Sequence, residues 1–379
     1  MIDASLVLFT ETSTQHDVTA IPSENMHVML DFKPKFGSKI GQMEWNKDLN
    51  LMVILTQYGD VMLCGMGEED EETKPTELGQ ENITCFAVSS KGYIATVRTE
   101  DEICIWTTNG ELEHTIPTQN RCTHLVFTLL GSYLVCEDSE NHLSVYETSH
   151  WERIQKFLCD FGIGGGSYRP ACAGYNSVVF MRRWDRLIHV KFSTEGKEEI
   201  VIKTGGWPIF KGDKIGKYFA IMDGEEVKIW SVDNQTMSTL TTSVNLNTVE
   251  HFEWSPDCAK AVLAIFSRIK KDENEGVLQL WDVETKKCLH KFKVIFSIWD
   301  SIRFSPDGRY ISCAGGAGGI TVCDTQTGEM VTTLKETILA RTTEWGPGGE
   351  TLAVLTQDSR ILMLNMNQIL PTGTESCQD

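Results

Sequence analysis

Residues 252–257 read FEWSPD and residues 302–308 read IRFSPDG, so a short apolar run is followed twice by the same Ser-Pro-Asp turn. After each turn come three more short apolar runs, separated by residues that favour turns. Four short runs joined by turns are typical of a four-stranded antiparallel meander. The later runs lie at 262–266, 277–281 and 288–292 in the first copy, and at 310–313, 319–323 and 330–334 in the second.

The third run of the first copy ends in Trp281 and Asp282. A repeat of about 40 residues whose third strand ends in Trp-Asp resembles a blade of the WD40 superfamily. The resemblance implies an all-β fold, a single WD40-like β-propeller, although this chain lacks Gly-His dipeptides and Trp-Asp ends a third run only here. One sheet cannot bury both of its faces alone, so the repeat requires neighbouring copies.

The end of the third run recurs along the chain at steps of about 40 residues, which predicts eight blades. The copy at residues 166–205 has the least distinct first strand, and the count falls to seven if this copy belongs to a neighbouring blade. If residues 1–35 supply more than one strand, the count rises to nine. The eight positions are Cys64, Trp106, Tyr146, Phe192, Trp230, Trp281, Cys323 and Leu364. We assign the tryptophans among them to the core.

Residues 27–33 resemble the fourth strand of a blade whose first three strands are missing. We expect them to complete the last blade, because pairing protects an otherwise open sheet edge. The expected organisation is one propeller over residues 1–367, followed by a disordered tail at residues 368–379.

The chain of 379 residues has a formal net charge of −19. A diffuse acidic surface keeps a protein soluble and repels phosphate, so free DNA is not an expected partner. The run at residues 68–72 (EEDEE) contributes to this charge. Such a run is typical of a solvated loop, and the alternative is a docking strip for a basic partner.

The twelve cysteines include no Cys-x-x-Cys pair, and several fall inside predicted strands. Residues 1–30 show no basic start followed by a long apolar run, so no secretory signal is expected. We therefore expect reduced, buried thiols in a cytoplasmic protein. No apolar run approaches the roughly 20 residues of a membrane-spanning helix, and no membrane contact is expected.

The sequence shows no pattern that carries chemistry. It contains no His-Glu-x-x-His, no zinc-ligand spacing and no Gly-x-Ser-x-Gly. The glycine-rich segments 162–166 and 315–319 match neither phosphate-binding loop pattern. We therefore expect no enzyme activity, and predict no catalytic residue, cofactor or metal ligand.

A first basic cluster comprises Arg182, Arg183, Trp184 and Arg186, at a predicted turn between the second and third strands of the fourth blade. Arginines flanking an exposed tryptophan are typical of protein-binding hot spots, and the tryptophan can also stack on a base of RNA. The alternative is a tryptophan packed between blades with solvated arginines around it.

A second basic cluster lies in the sixth blade and combines a polar insert, residues 267–276, with the fourth strand. Lysines on an outer strand block edge-to-edge aggregation, which is the structural alternative to a contact with ribosomal RNA or an acidic protein. The residues are Arg268, Lys270, Lys271, Lys286, Lys287, Lys291 and Lys293.

Residues 205–365 resemble the propellers of two eukaryotic translation initiation factors, factor two-A and the b subunit of factor three. The likeness rests on short motifs in a shared order: GWPIFK at 206–211, GKYFA at 216–220, FEWSP at 252–256, KETI at 335–338 and EWGP at 344–347. It implies a protein that docks on the small ribosomal subunit.

The sequence therefore predicts a non-catalytic WD40 scaffold for macromolecular assembly that binds other proteins. Its sharper form is a translation-initiation-factor-like protein that binds the small ribosomal subunit or its RNA. The alternatives are a general WD40 adaptor in ubiquitin ligation, trafficking or the cytoskeleton, and a propeller enzyme.

Overall fold

The computed structural model describes residues 26–30, 40–46, 49–65, 76–78, 82–98, 102–159, 171–174, 176–183, 185–193, 196–204, 209–213, 215–223, 226–241, 247–267, 275–295, 301–315, 319–334, 340–358 and 361–370. They form 32 strands and one short helix, and the strands pair into eight antiparallel sheets of four. The structure divides into a unit of residues 38–244 and a unit of residues 1–37 and 245–379.

The unit of residues 38–244 contains five sheets, and in each the strand order follows the chain order. The first sheet comprises β2 (Ile40–Asn46), β3 (Leu51–Thr56), β4 (Val61–Gly65) and β5 (Thr76–Glu77); the second comprises β6 (Ile83–Val88), β7 (Tyr93–Arg98), β8 (Glu102–Thr107) and β9 (Leu112–Pro117). The third comprises β10 (Cys122–Phe127), β11 (Tyr133–Asp138), β12 (His142–Glu147) and β13 (Glu152–Leu158); the fourth comprises β14 (Ala171–Gly174), β15 (Ser177–Arg183), β16 (Arg186–Ser193) and β17 (Gly196–Lys203). The fifth comprises β18 (Ile209–Gly212), β19 (Tyr218–Asp223), β20 (Glu226–Ser231) and β21 (Thr236–Thr241).

The second unit contains the remaining three sheets. The sixth comprises β22 (Asn247–Trp254), β23 (Lys260–Ser267), β24 (Glu275–Asp282) and β25 (Lys287–Ile295); the seventh comprises β26 (Ser301–Phe304), β27 (Tyr310–Gly315), β28 (Gly319–Asp324) and β29 (Met330–Leu334). The eighth comprises β30 (Ala340–Trp345), β31 (Thr351–Thr356), β32 (Ile361–Asn365) and β1 (Met26–Leu30), and the helix α1 (Met366–Ile369) follows β32.

The eight sheets confirm the predicted count, and each predicted third-strand marker lies on the third strand of its sheet. The N-terminal strand β1 pairs antiparallel with β32, with Met26 opposite Leu364. It therefore supplies the fourth strand of the eighth sheet, as the sequence predicts. Of the predicted tail, residues 368–370 complete or follow α1, and residues 371–379 lie outside the described residues.

The inner strands are buried on both faces. All six residues of β3 are buried, as are all six of β28. Such strands form stable structure only when a neighbouring sheet covers each face. In the 38–244 unit, apolar clusters join the first sheet to the second, the second to the third, and the third through the fourth to the fifth. In the other unit, they join the sixth sheet to the seventh and the seventh to the eighth.

Three third-strand tryptophans, Trp106, Trp230 and Trp281, are buried, with exposed fractions of 5%, 7% and 9%. This confirms their assignment to the core. Their indole N–H groups differ: Trp106 Nε1 donates to Thr96 Oγ1 at 2.9 Å, whereas Trp230 Nε1 has no hydrogen-bond partner among the described residues. The register explains the difference, because the position that Thr96 holds in the second sheet is held by Ile221 in the fifth.

One expectation about the cysteines is wrong. The structure pairs Cys122 of β10 with Cys136 of β11 as a disulfide, and their Cα atoms lie 6.2 Å apart, a usual separation for a disulfide. The strand pairing brings together two residues whose sequence spacing gives no signal. Burial raises the pKa of the Cys64 and Cys323 thiols to about 12.

We expect Trp106→Phe to lower the free energy of unfolding by about 1–2 kcal/mol more than Trp230→Phe does. Both changes remove similar volume, but the first leaves the buried Thr96 hydroxyl without its indole donor. The second removes a donor that has no partner. Urea denaturation of the full chain measures both values. In a Thr96→Val background the extra cost of Trp106→Phe should disappear, and equal costs in the native background would contradict the prediction.

Candidate partner-binding surface

The strand β25 is the outermost strand of the sixth sheet, and among the described strands only β24 is hydrogen-bonded to it. With nine residues it is the longest strand of the described chain. Phe292 and Val294 fix it to the molecule, because both side chains are buried in the cluster shared with the seventh sheet. The turn before β29 also passes directly against it, since a Cβ placed on Gly328 would lie 2.3 Å from His290 Nδ1.

Lysines line this strand. Lys286 ends the turn before it, and Lys287, Lys291 and Lys293 lie within it; all four are exposed. We call these four residues the β25 lysines. No described residue forms an ion pair or hydrogen bond with any of their side-chain amines. The four charges are therefore available to a partner.

The register places the lysines on both sides of the strand's free edge. Lys291 and Lys293 pair with Gln279 and Val277, which lie on one face of the sheet. A bulge at Leu289 shifts the alternation, so that Lys287 lies on the other face. A ligand strand along this edge would meet positive charge above and below the plane of the sheet.

The other outer strands do not share this charge pattern. The strand β13 mixes Glu152 with Arg153 and Lys156, and β17 has two glutamates beside its two lysines. Among the described fourth strands, β25 combines three lysines with no carboxylate. This concentration stands out in a chain whose net charge is −19.

The turn that leads into β25 is fixed by the hydrogen bonds of an Asp side chain rather than by glycine. Asp282 Oδ1 accepts hydrogen bonds from the backbone N–H and the hydroxyl of Thr285, both at 2.7 Å, and these bonds lower the pKa of Asp282. Lys286 then adopts a φ of 56°, in the region that favours glycine. The seventh sheet has Gly328 at the matching position, with a φ of 77°.

Only part of the predicted second basic cluster is described. Arg268, Lys270 and Lys271 lie outside the described residues, in the segment between Ser267 and Glu275. The structure places Lys291 and Lys293 on β25 together with Lys287, and Lys286 in the turn before the strand.

The predicted first basic cluster lies at the hairpin between β15 and β16, between the second and third strands as expected. Arg182 and Arg183 end β15, but their side chains and all of Trp184 lie outside the described residues. Arg186 begins β16, and its Nε lies 3.6 Å from Asp185 Oδ1. A neighbouring carboxylate thus offsets one of these charges, which makes the hairpin a weaker candidate than β25.

The sequence analysis missed an ionic chain in the second unit. Arg303 Nε donates to Glu344 Oε1 at 2.7 Å, and Arg303 also lies 3.7 Å from the buried carboxylate of Glu253. The three residues occupy the same position in three successive first strands, directly before Phe304, Trp345 and Trp254. Repeated charge before the aromatic end of the first strand is the signal that could have revealed it. Because the guanidinium of Arg303 is already paired with two carboxylates, a structural role between the sheets is favoured.

A buried histidine was also missed. His189 in β16 is fully buried, and neither ring nitrogen has a hydrogen-bond partner among the described residues. Its ring meets Phe219 edge-on, with 5.8 Å between the ring centres. Burial, reinforced by the positive charge of Lys191, lowers the pKa of His189 to about 4, so the folded protein holds it neutral at physiological pH.

Within the described part of the chain, no three His, Cys, Asp or Glu side chains converge to hold a metal ion. Among the same residues, no helix is long and apolar enough to cross a membrane.

Comparison with known proteins supports the fold and goes no further. No protein-family model matches the chain, and no curated protein matches it. Among solved structures, the chain is similar to the C-terminal WD40 domain of Sif2, with a TM-score of 0.65 and 14% sequence identity over 90% of this chain and 98% of that domain. The chain is therefore all-β, with the fold of an eight-bladed WD40 propeller.

We predict that stability falls as the pH is lowered through the range between the two His189 pKa values. The unfolded residue binds a proton near pH 6.5, whereas the folded one binds it only near pH 4. Between these values a proton binds the unfolded state but not the folded one, so the free energy of unfolding decreases as the pH falls. The total decrease is at most about 3 kcal/mol and is nearly complete at pH 4. Urea denaturation at several pH values measures this. His189→Phe should flatten the dependence, while His150→Gln at the surface should leave it unchanged, and an unaltered slope in His189→Phe would exclude this origin.

We expect Arg303→Met to lower the free energy of unfolding by about 2–3 kcal/mol. The change keeps much of the aliphatic stem but removes the guanidinium that lies between Glu253 and Glu344. The matched variant Glu344→Gln retains an acceptor for Arg303 and should cost less than about 1 kcal/mol. Chemical denaturation compares the two. A loss below about 0.5 kcal/mol for Arg303→Met would show that the ion pairs of Arg303 contribute little to stability.

Proposed function

We propose that this protein is a cytoplasmic, non-catalytic scaffold that binds a protein partner through the β25 lysines. One observation carries the proposal: four exposed lysines on β25 and the turn before it have no ion-pair partner among the described residues, in a strongly acidic chain. A charge pattern of this kind suits electrostatic complementarity with an acidic surface. The fold supports the same reading, because a propeller offers rigid sheets whose loops and outer strands are free to bind.

The sharper form of the proposal is a factor that docks on the small ribosomal subunit during translation initiation. The motif order in residues 205–365 supports it, and described parts of three of these motifs lie on first strands. Residues 209–211 lie in the first strand of the fifth sheet, while Trp254 and Trp345 end the first strands of the sixth and eighth. The β25 lysines would provide a local cationic contact on an otherwise acidic molecule.

The alternative is an adaptor in another assembly, such as a ubiquitin ligase, a trafficking complex or a cytoskeletal complex. The same lysines would serve there, with an acidic protein in place of the ribosome. The compartment belongs to the proposal as well. Cell fractionation tests it, and we expect the protein in the cytoplasmic fraction.

We expect the full chain to capture a discrete set of partner proteins from native extract, and to lose them in the variant Lys287→Gln/Lys291→Gln/Lys293→Gln. The control Lys91→Gln/Arg153→Gln/Lys203→Gln removes the same charge from exposed residues elsewhere and should retain them. Affinity purification with mass spectrometry identifies the partners. Cosedimentation with purified small subunits at moderate salt tests the sharper form, and no association of folded protein would remove it. Equal capture by all three proteins would show that the lysines are not the binding surface.

A further inference from the structure

We infer that the free edge of β25 binds an extended acidic segment of a partner protein as an added antiparallel or parallel strand. This inference rests on the proposed function and specifies its partner. It requires an accessible edge, a charge pattern that a strand can satisfy, and a reason to prefer a peptide to a nucleic acid. The described residues provide all three.

The edge is long, and no described strand pairs with it. β25 ends the strand order of the sixth sheet, and its nine residues exceed the length of every other fourth strand described. A sheet edge of this length presents backbone N–H and C=O groups that can pair with another chain. Phe292 and Val294 hold the strand in place, so that binding would require little ordering of the edge.

Lysines on an edge strand also serve to prevent aggregation, so the charge pattern has to discriminate between the two roles. Protection of an edge strand from aggregation requires charged side chains of either sign, and β13 and β17 have charges of both signs. β25 instead carries only positive charge and leaves it unpaired, with the 41% exposed Leu289 between Lys287 and Lys291. Unpaired charge of one sign around an exposed apolar side chain favours binding over protection alone.

The bulge at Leu289 favours a peptide strand. Side chains of an added strand alternate between the two faces of the sheet, and β25 presents Lys287 on one face and Lys291 and Lys293 on the other. Acidic residues at both odd and even positions of the partner strand would therefore each meet a lysine. A nucleic-acid backbone offers no hydrogen-bonding pattern that matches a strand edge, so the geometry favours a protein segment.

The test uses the full-length protein and a fluorescein-labelled nine-residue peptide of glutamate and threonine with glutamates at both odd and even positions, followed by fluorescence anisotropy at low salt. We expect saturable binding that the Lys287→Gln/Lys291→Gln/Lys293→Gln variant weakens by about tenfold, since the loss of three charge pairs that each change affinity about two- to threefold multiplies. The Lys91→Gln/Arg153→Gln/Lys203→Gln control should bind as the native protein does.

A second peptide of the same sequence, N-methylated at every residue, keeps every charge but has no backbone N–H to donate, so it cannot pair along a strand edge. Loss of its binding supports strand addition, whereas equal binding of the two peptides overturns it. Tighter binding of a labelled single-stranded RNA than of the peptide assigns the β25 lysines to a nucleic-acid ligand and overturns the inference. Lysine-dependent self-association in sedimentation also overturns the inference, because the acidic segment would then come from a second copy of this chain, at residues 68–72.

These outcomes separate the inference from the function on which it rests. If extract proteins are still captured in a lysine-dependent manner while neither peptide binds, the scaffold proposal holds and strand addition fails. If capture does not depend on the lysines, the proposed surface fails irrespective of the peptide result. Circular dichroism of the triple variant and of the control verifies that both remain folded.

Discussion

Burial of the inner strands on both faces is the constraint from which the rest of this structure follows. A strand such as β3, with every residue buried, gains nothing from an isolated sheet, because one apolar face would remain in water. Each sheet must therefore be covered by its neighbours, and the apolar clusters within each unit do span adjacent sheets. The cost is that the inner three strands have little freedom to vary in composition.

The fourth strand is where this constraint relaxes. In β9 five of six residues are exposed, and in β13 only Phe157 is fully buried. Side chains here contribute little to the core, so their charges can differ from sheet to sheet without loss of the fold. The difference between β25 and the other fourth strands is thus a difference that folding does not require, which is why it points to function.

The sequence was sufficient for features that repeat and insufficient for features that depend on register. The marker positions from Cys64 to Leu364 predicted eight sheets, because a buried aromatic or apolar residue must recur at the same place in each. The Cys122–Cys136 disulfide and the contact of Arg303 with Glu344 join residues on different strands, and no local pattern encodes them. Likewise, proximity along the chain grouped Lys287 with Lys291 and Lys293, whereas the bulge at Leu289 places Lys287 on the opposite face of the sheet. The isolation of Lys291 and Lys293 from carboxylates emerges only from coordinates.

The acidity of the whole chain and the positive charge of β25 act over different distances. At physiological ionic strength the Debye length is about 8 Å, so charges elsewhere on the molecule do little to offset lysines that project from an outer strand. A partner would therefore experience the net charge of −19 as a weak repulsion on approach and the lysines only on contact. Under that condition, long-range steering contributes little to selection. In the proposed strand addition, recognition would come from a ligand whose backbone and charges fit the edge of β25 at the same time, and this double requirement would make a single strand a specific binding site.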